Sequence, residues 1–183
     1  ALLLADEIQT GVGRTGKFLA VQHEGVVPDA LALAKGLAGG VPIGAMLCKA
    51  ELQGVLPPGS HGSTFGGNPL ASAAALAVLD TIEAEAIIDN VNARAVELSQ
   101  GLAELARKHE RLVATWRGMG LLQALVLRDG IDARGVLEKL REAGLLISLA
   151  GASGLRFSPP LVIRKEEVAE ALAIVDRILL GLP

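Results

Sequence analysis

Two residue types, spaced as carbonyl–amine chemistry needs them, stand out in this chain. Lys35 sits in Leu33-Ala34-Lys35-Gly36-Leu37-Ala38-Gly39-Gly40, after an apolar run and ahead of glycines. That context holds an amine at the edge of a buried sheet with room for a flat ligand. Upstream, Ala1-Leu2-Leu3-Leu4-Ala5 runs into Asp6-Glu7-Ile8-Gln9, so a carboxylate ends an earlier strand and can face the same ligand from the other side. Pyridoxal phosphate chemistry requires this pair: a Schiff-base amine, and an acid that keeps the pyridine nitrogen protonated. Glu7, one residue further on, points to the opposite face of a strand and does not share the role.

The elements that must position these groups follow from the apolar pattern. Residues 1–8 read as a buried strand, short, continuously apolar and then acidic. Residues 11–16 read as a flexible glycine loop and 17–24 as a short helix. Residues 30–33 and 43–48 read as further strands, and 56–69 as a loop rich in Gly, Pro, Ser and Asn. Asn68-Pro69 gives an N-cap and a first-turn proline to a helical stretch. That stretch runs to about residue 108 with a break near 83–89. Strands are expected at 112–116, 121–127, 145–149 and 155–157, and an amphipathic helix at 132–143, ended by Gly144. A closing helix over 165–180 carries Val168, Leu172, Val175 and Leu179 on one stripe. The organisation is an α/β portion over 1–67, connecting helices over 68–111 and a small α+β unit over 112–183.

Bulk properties remove several classes of function. The chain has 183 residues, 51% of them apolar, so a sizeable core is affordable. The formal net charge of −3, from 17 basic and 20 acidic residues, gives no basic face for nucleic acid. Trp116 and three phenylalanines are too few for a base-stacking platform. Cys48 is the only cysteine, which rules out an internal disulfide and fits a reducing cytoplasm. No apolar run reaches the ~18 residues of a membrane span, and no signal peptide is visible. His23, His61 and His109 are scattered without ligand spacing, so no metal site is expected. Ser63 has no His–Asp pattern near it.

Gly11-Val12-Gly13-Arg14-Thr15-Gly16-Lys17 matches two nucleotide motifs at once and satisfies neither. A phosphate loop needs Ser or Thr after the lysine to hold magnesium, and Phe18 stands there. A dinucleotide fingerprint needs its first glycine directly after the strand, and residues 6–10 intervene.

Asp6-Glu7-Ile8-Gln9-Thr10-Gly11-Val12-Gly13-Arg14-Thr15-Gly16, Pro28-Asp29, Leu33-Ala34-Lys35-Gly36, Pro42-Ile43-Gly44-Ala45 and the block from His61 to Pro69 come in an ordered series. Arg117-Gly118-Met119-Gly120-Leu121 and Arg156-Phe157-Ser158-Pro159-Pro160-Leu161 continue it. The series resembles the class III pyridoxal-phosphate aminotransferases, and within them most resembles the acetylornithine aminotransferases. The resemblance implies part of a fold type I large domain, like that of aspartate aminotransferase, over 1–67, followed by the small C-terminal domain. Lys35 then resembles the Schiff-base lysine, Asp6 the partner of the pyridinium nitrogen, and Gln9 the residue bonded to the cofactor's phenolic oxygen. Thr64 resembles the residue that reaches the phosphate in the neighbouring subunit, which implies a homodimer with shared sites. Arg156 resembles the arginine that clamps the substrate carboxylate, a task suited to a planar guanidinium. The implied reaction moves the terminal amino group of an N-acylated ornithine to 2-oxoglutarate, in arginine biosynthesis, with ping-pong kinetics.

The chain opens inside a core strand without an initiator Met, and reads as the C-terminal part of a longer polypeptide. The family's phosphate cup, ring-stacking aromatic and carboxylate-arginine mask belong to an N-terminal portion, so the piece alone is expected to be incompetent. Two alternatives stay open: an ornithine, 4-aminobutyrate or other ω-amino acid transaminase or an aminomutase on the same scaffold, and a non-catalytic dimerisation module derived from such an enzyme.

Overall fold

The structure, a computed structural model, describes residues 1–182. The chain folds as two compact units, Ala1–Ile88 and a second from Asp89 onward.

The first unit is built on a three-stranded sheet in the order β1 (Leu4–Asp6), β2 (Ala30–Leu33), β3 (Ala45–Cys48). β1 and β2 run parallel, with Leu4 opposite Ala30 and Asp6 opposite Ala32. β3 returns antiparallel to β2. The short connection explains it: residues 34–44 hold one 3₁₀ turn (Lys35–Ala38), and a parallel return needs a longer crossover. Asp29 ties the three strands at one end. Its carboxylate accepts from the Leu3 amide and the Lys49 ammonium, both at 2.8 Å. Its own amide donates to Leu3, and its carbonyl accepts from the Lys49 amide.

Three expectations are corrected here. The opening strand is not buried: only Leu4–Asp6 pair, and Leu2, Leu3 and Leu4 are 59, 50 and 68% exposed. β1 is an edge strand hydrogen-bonded to β2 alone. The glycine stretch is not a flexible loop. Gly11, Val12, Gly13, Thr15 and Gly16 are buried in successive turns. Of the helix expected at 17–24, only a 3₁₀ turn, Ala20–His23, forms.

α1 (Pro69–Ala84) starts as its sequence dictates, with Asn68 Oδ1 accepting from the Ala71 amide at 3.0 Å and Pro69 in the first turn. The helical run breaks at Ala86, whose φ of 48° no α-helix accommodates. α2 (Ile87–Lys108) follows.

In the second unit an antiparallel sheet has the order β4 (Val113–Met119), β5 (Leu122–Leu127), β7 (Gly154–Phe157), β6 (Ser148–Ala150). α3 (Ala133–Glu142) is capped by Asp132 and followed by Gly144 at φ 90°. α4 (Lys165–Leu180) buries Val168, Val175 and Leu179. These meet a core of Leu102, Leu121, Leu125, Leu127, Leu140 and Leu155, every one essentially inaccessible to solvent. Gln123 is also buried. Its amide nitrogen reaches the Ala95 and Gly120 carbonyls and the Ser99 hydroxyl, fastening β5 to α2. Asp176 on α4 takes Lys108 and the buried His109, both at 2.7 Å, and so fastens the two helices.

Candidate active site

Because β1 and β2 are parallel, their carboxyl ends open on the same edge of the sheet. That edge is where open α/β sheets bind ligands. Asp6 is the last residue of β1. β2 ends at Leu33, and after Ala34 the chain turns over at Lys35. The exposed Lys35 has φ 48°, a left-handed conformation that a side chain bearing a Cβ adopts at a cost of about 1–2 kcal/mol. Leu37 and Ala38, both buried, anchor the turn, which packs against α1. Gly39 closes it at φ 61°, with Val78 of α1 close by. The lysine is therefore held by its neighbours in a backbone state it would not choose alone, a kind of strain that clusters at functional sites.

Asp6 and Glu7 divide as strand alternation requires. Asp6 is exposed and its Oδ1 accepts from the Ile8 amide at 3.0 Å, which fixes the carboxylate at the strand end. Glu7 is 2% exposed. Its Oε1 accepts from the Val21 amide at 2.8 Å and its Oε2 from the Thr10 hydroxyl. Gln9 is half-buried in the turn that follows β1. Further along, the His23 ring lies 3.1 Å from the Thr15 carbonyl and closes the glycine stretch. Burial holds the Arg14 guanidinium below its ordinary pKa.

Asp6, Gln9 and Lys35 thus share one end of the first unit's sheet. Thr64 belongs to the same unit but lies on the exposed 61–68 loop. That loop is ordered by its own bonds: Ser63 Oγ accepts from the Gly66 amide, and Asn68 donates to the Phe65 carbonyl. Arg156 belongs to the second unit. It sits on β7 between Ala124 of β5 and Ser148 of β6, and its Nε donates to Ser148 Oγ at 3.0 Å. That bond uses the inner nitrogen and sets the plane of the guanidinium. Ser148 did not stand out in the sequence, and the opposite-facing Glu7 was assigned no role there. The signal for Glu7 was there: of two successive acids ending an apolar strand, one must face in.

A family model described as aminotransferase class III matches residues 1–179. The acetylornithine aminotransferase of Gloeobacter violaceus is 50% identical over 182 residues, covering the whole chain and 45% of that relative. Among solved structures, the ornithine aminotransferase of Toxoplasma gondii matches at a TM-score of 0.93 and 40% identity, over 99% of this chain and 43% of its own. The acetylornithine aminotransferase of Elizabethkingia anophelis matches at 0.92 and 38%, over 100% and 46%. The chain belongs to the class III aminotransferases, enzymes that work with pyridoxal phosphate, and it carries part of their α/β fold. It spans less than half the length of the relatives it matches. The Toxoplasma gondii enzyme has partial occupancy of PLP at its active site.

The residues present suit that group. An amine and a carboxylate stand at adjacent strand ends, and an amide side chain follows the carboxylate.

Proposed function

We propose that this chain is the lysine-bearing portion of a transaminase that moves the terminal amino group of N-acetylornithine, or a related ω-amino acid, to 2-oxoglutarate. The observation that carries the reading is Lys35 in a left-handed backbone at the same sheet edge as Asp6. When bound, pyridoxal phosphate supplies an electron sink for the negative charge left at the substrate carbon. Lys35 would hold the cofactor through its amine and, as a free amine, would move the proton at the carbon bearing the transferred amino group. Asp6 would hold the proton on the ring nitrogen, and Gln9 would bond the phenolic oxygen. Arg156, its plane set by Ser148, receives the substrate carboxylate as a two-pronged donor. Thr64, on its exposed loop, reaches the cofactor phosphate of a second subunit in a homodimer with shared sites.

The domain reading assigns 1–67 to the cofactor-binding large domain, 68–111 to connecting helices and 112–183 to the small domain. Arginine biosynthesis in the cytoplasm is the setting that this substrate and the lone, exposed Cys48 support. Among the described residues, no helix is long and apolar enough to cross a membrane. The names of relatives divide between acetylornithine and ornithine aminotransferases, so the acyl group is the finer part of the proposal.

The test is intact mass after pyridoxal phosphate and borohydride, with Lys35→Ala alongside. One adduct that the variant loses supports Lys35 as the tether. Equal, scattered labelling of both proteins overturns this assignment for the chain.

A further inference from the structure

We propose that Glu7 is the positioning residue of this site: its buried carboxylate clamps the 8–24 segment and thereby fixes Asp6 and Lys35 relative to one another. The inference rests on the transaminase reading for its purpose, and on geometry for its substance. Glu7 follows Asp6 directly, and its amide donates to the Ala32 carbonyl on β2 at 3.0 Å, extending the β1–β2 pairing. One carboxylate oxygen takes the Thr10 hydroxyl and the other the Val21 amide, 14 residues away. The glycine stretch lies between these two attachment points. Its first residue, Gly11, donates to the Glu7 carbonyl at 2.9 Å and presses against Leu33, the last residue of β2. Its second, Val12, is buried at φ 58° and backs Gly36, where an added Cβ would lie 3.9 Å from the Val12 Cβ. Gly36 is the residue after Lys35. A continuous set of contacts therefore runs from the Glu7 carboxylate, through the clamped loop, to the turn that presents the lysine.

Glu7 touches neither the amine nor the exposed carboxylate face, so it acts through Thr10, Val21 and Val12. Both oxygens of the buried carboxylate are engaged, one by the Thr10 hydroxyl and one by the Val21 amide. Loss of the clamp frees a loop with three glycines, of which Gly13 and Gly16 already have positive φ.

The test compares the parent chain with Glu7→Ala, Glu7→Gln and Thr10→Val, at a temperature where circular dichroism shows each fully folded. Hydrogen exchange at the Val21 amide reads the clamp without any cofactor. Borohydride trapping with pyridoxal phosphate reads the fraction of adduct at Lys35 against all other lysines. Glu7→Ala is expected to lose Val21 protection and to lower Lys35 selectivity at least about tenfold, since ~1 Å of misplacement costs a reacting group on the order of a hundredfold. Glu7→Gln, which can still accept from Val21, is expected to keep most of both, and Thr10→Val to fall between. Unchanged Val21 protection in Glu7→Ala overturns the clamp. Lost protection with unchanged selectivity overturns the positioning role and leaves Glu7 purely structural. If even the parent shows no preference for Lys35, the cofactor reading of this chain fails, Glu7 has nothing to position, and the exchange data still decide whether the clamp exists. Should Glu7→Ala not fold, Glu7→Gln and Thr10→Val carry the same comparison.

Discussion

Gly11→Ala sets the packed reading of the glycine stretch against the flexible one. An alanine Cβ at this position falls 2.7 Å from Leu33 Cδ2 and 2.8 Å from the Glu7 carbonyl oxygen. Leu33 is a side chain and can rotate, but at 6% exposure it has little room. The carbonyl cannot retreat without lengthening the 2.9 Å bond it accepts from the Gly11 amide. Overpacking of this kind costs about 1–3 kcal/mol, and contact with a fixed backbone atom places it toward the upper end. At ~2–4 °C per kcal/mol for a chain of this size, the melting point should fall by about 4–12 °C. Gly54→Ala is the matched control, because nothing lies within 4 Å of its added Cβ. Removing a glycine from an open site leaves stability unchanged or raises it by about 0.4–1 kcal/mol, through the unfolded chain. Thermal and urea unfolding of the two variants beside the parent provide the assay. If Gly11→Ala melts within ~1 °C of Gly54→Ala, the stretch gives way freely and the packed description is wrong.

The left-handed backbone of Lys35 should make Lys35→Gly more stable than Lys35→Ala by about 1 kcal/mol, and equal urea midpoints would remove the strain. Asn68→Ala should cost about 1 kcal/mol through the lost α1 cap, seen as faster hydrogen exchange at the Ala71 amide. Leu140→Ala, at a fully buried position of α3, should cost about 2–5 kcal/mol in urea unfolding. On the acid side, Lys49 and the Leu3 amide hold Asp29 below the usual carboxylate range. Lys108 and His109 do the same for Asp176, as Arg164 does for Glu167. A lowered folded pKa means that the unfolded chain binds the proton more readily. The stabilisation is therefore complete above pH ~4–5 and fades as pH falls through the ordinary carboxylate range and below it. A melting-temperature series from pH 6 down to about pH 2 should slope downward in the parent and flatten in the Asp29→Asn, Asp176→Asn double variant.

The elements were largely legible from local pattern. Periodicity predicts α1, α3 and α4, with Asn68 capping the first and Gly144 ending the second, because an apolar stripe of 3.6-residue period and a terminal capping residue are local properties. Composition marks β2 in the same way. The chemistry of Lys35 and Asp6 could also be read, since their residue types and flanking glycines limit what they can do. Contacts distant in sequence decided the rest. Glycine content suggested a flexible loop at 11–16. The buried carboxylate of Glu7, joined to the Val21 amide 14 residues on, makes it a packed one. Apolar character suggested that residues 1–8 were buried, but exposure depends on what lies beside a strand, and β1 pairs on one edge only. The left-handed turn at Lys35 follows from the fit of Leu37 and Ala38 against α1 rather than from any preference of lysine. Sequence alone determined which groups this chain brings to its chemistry, because reactivity belongs to the side chain. Only the tertiary structure decided what the opposite-facing Glu7 does, closing the loop onto Thr10 and Val21, because burial and hydrogen bonding arise when distant segments meet.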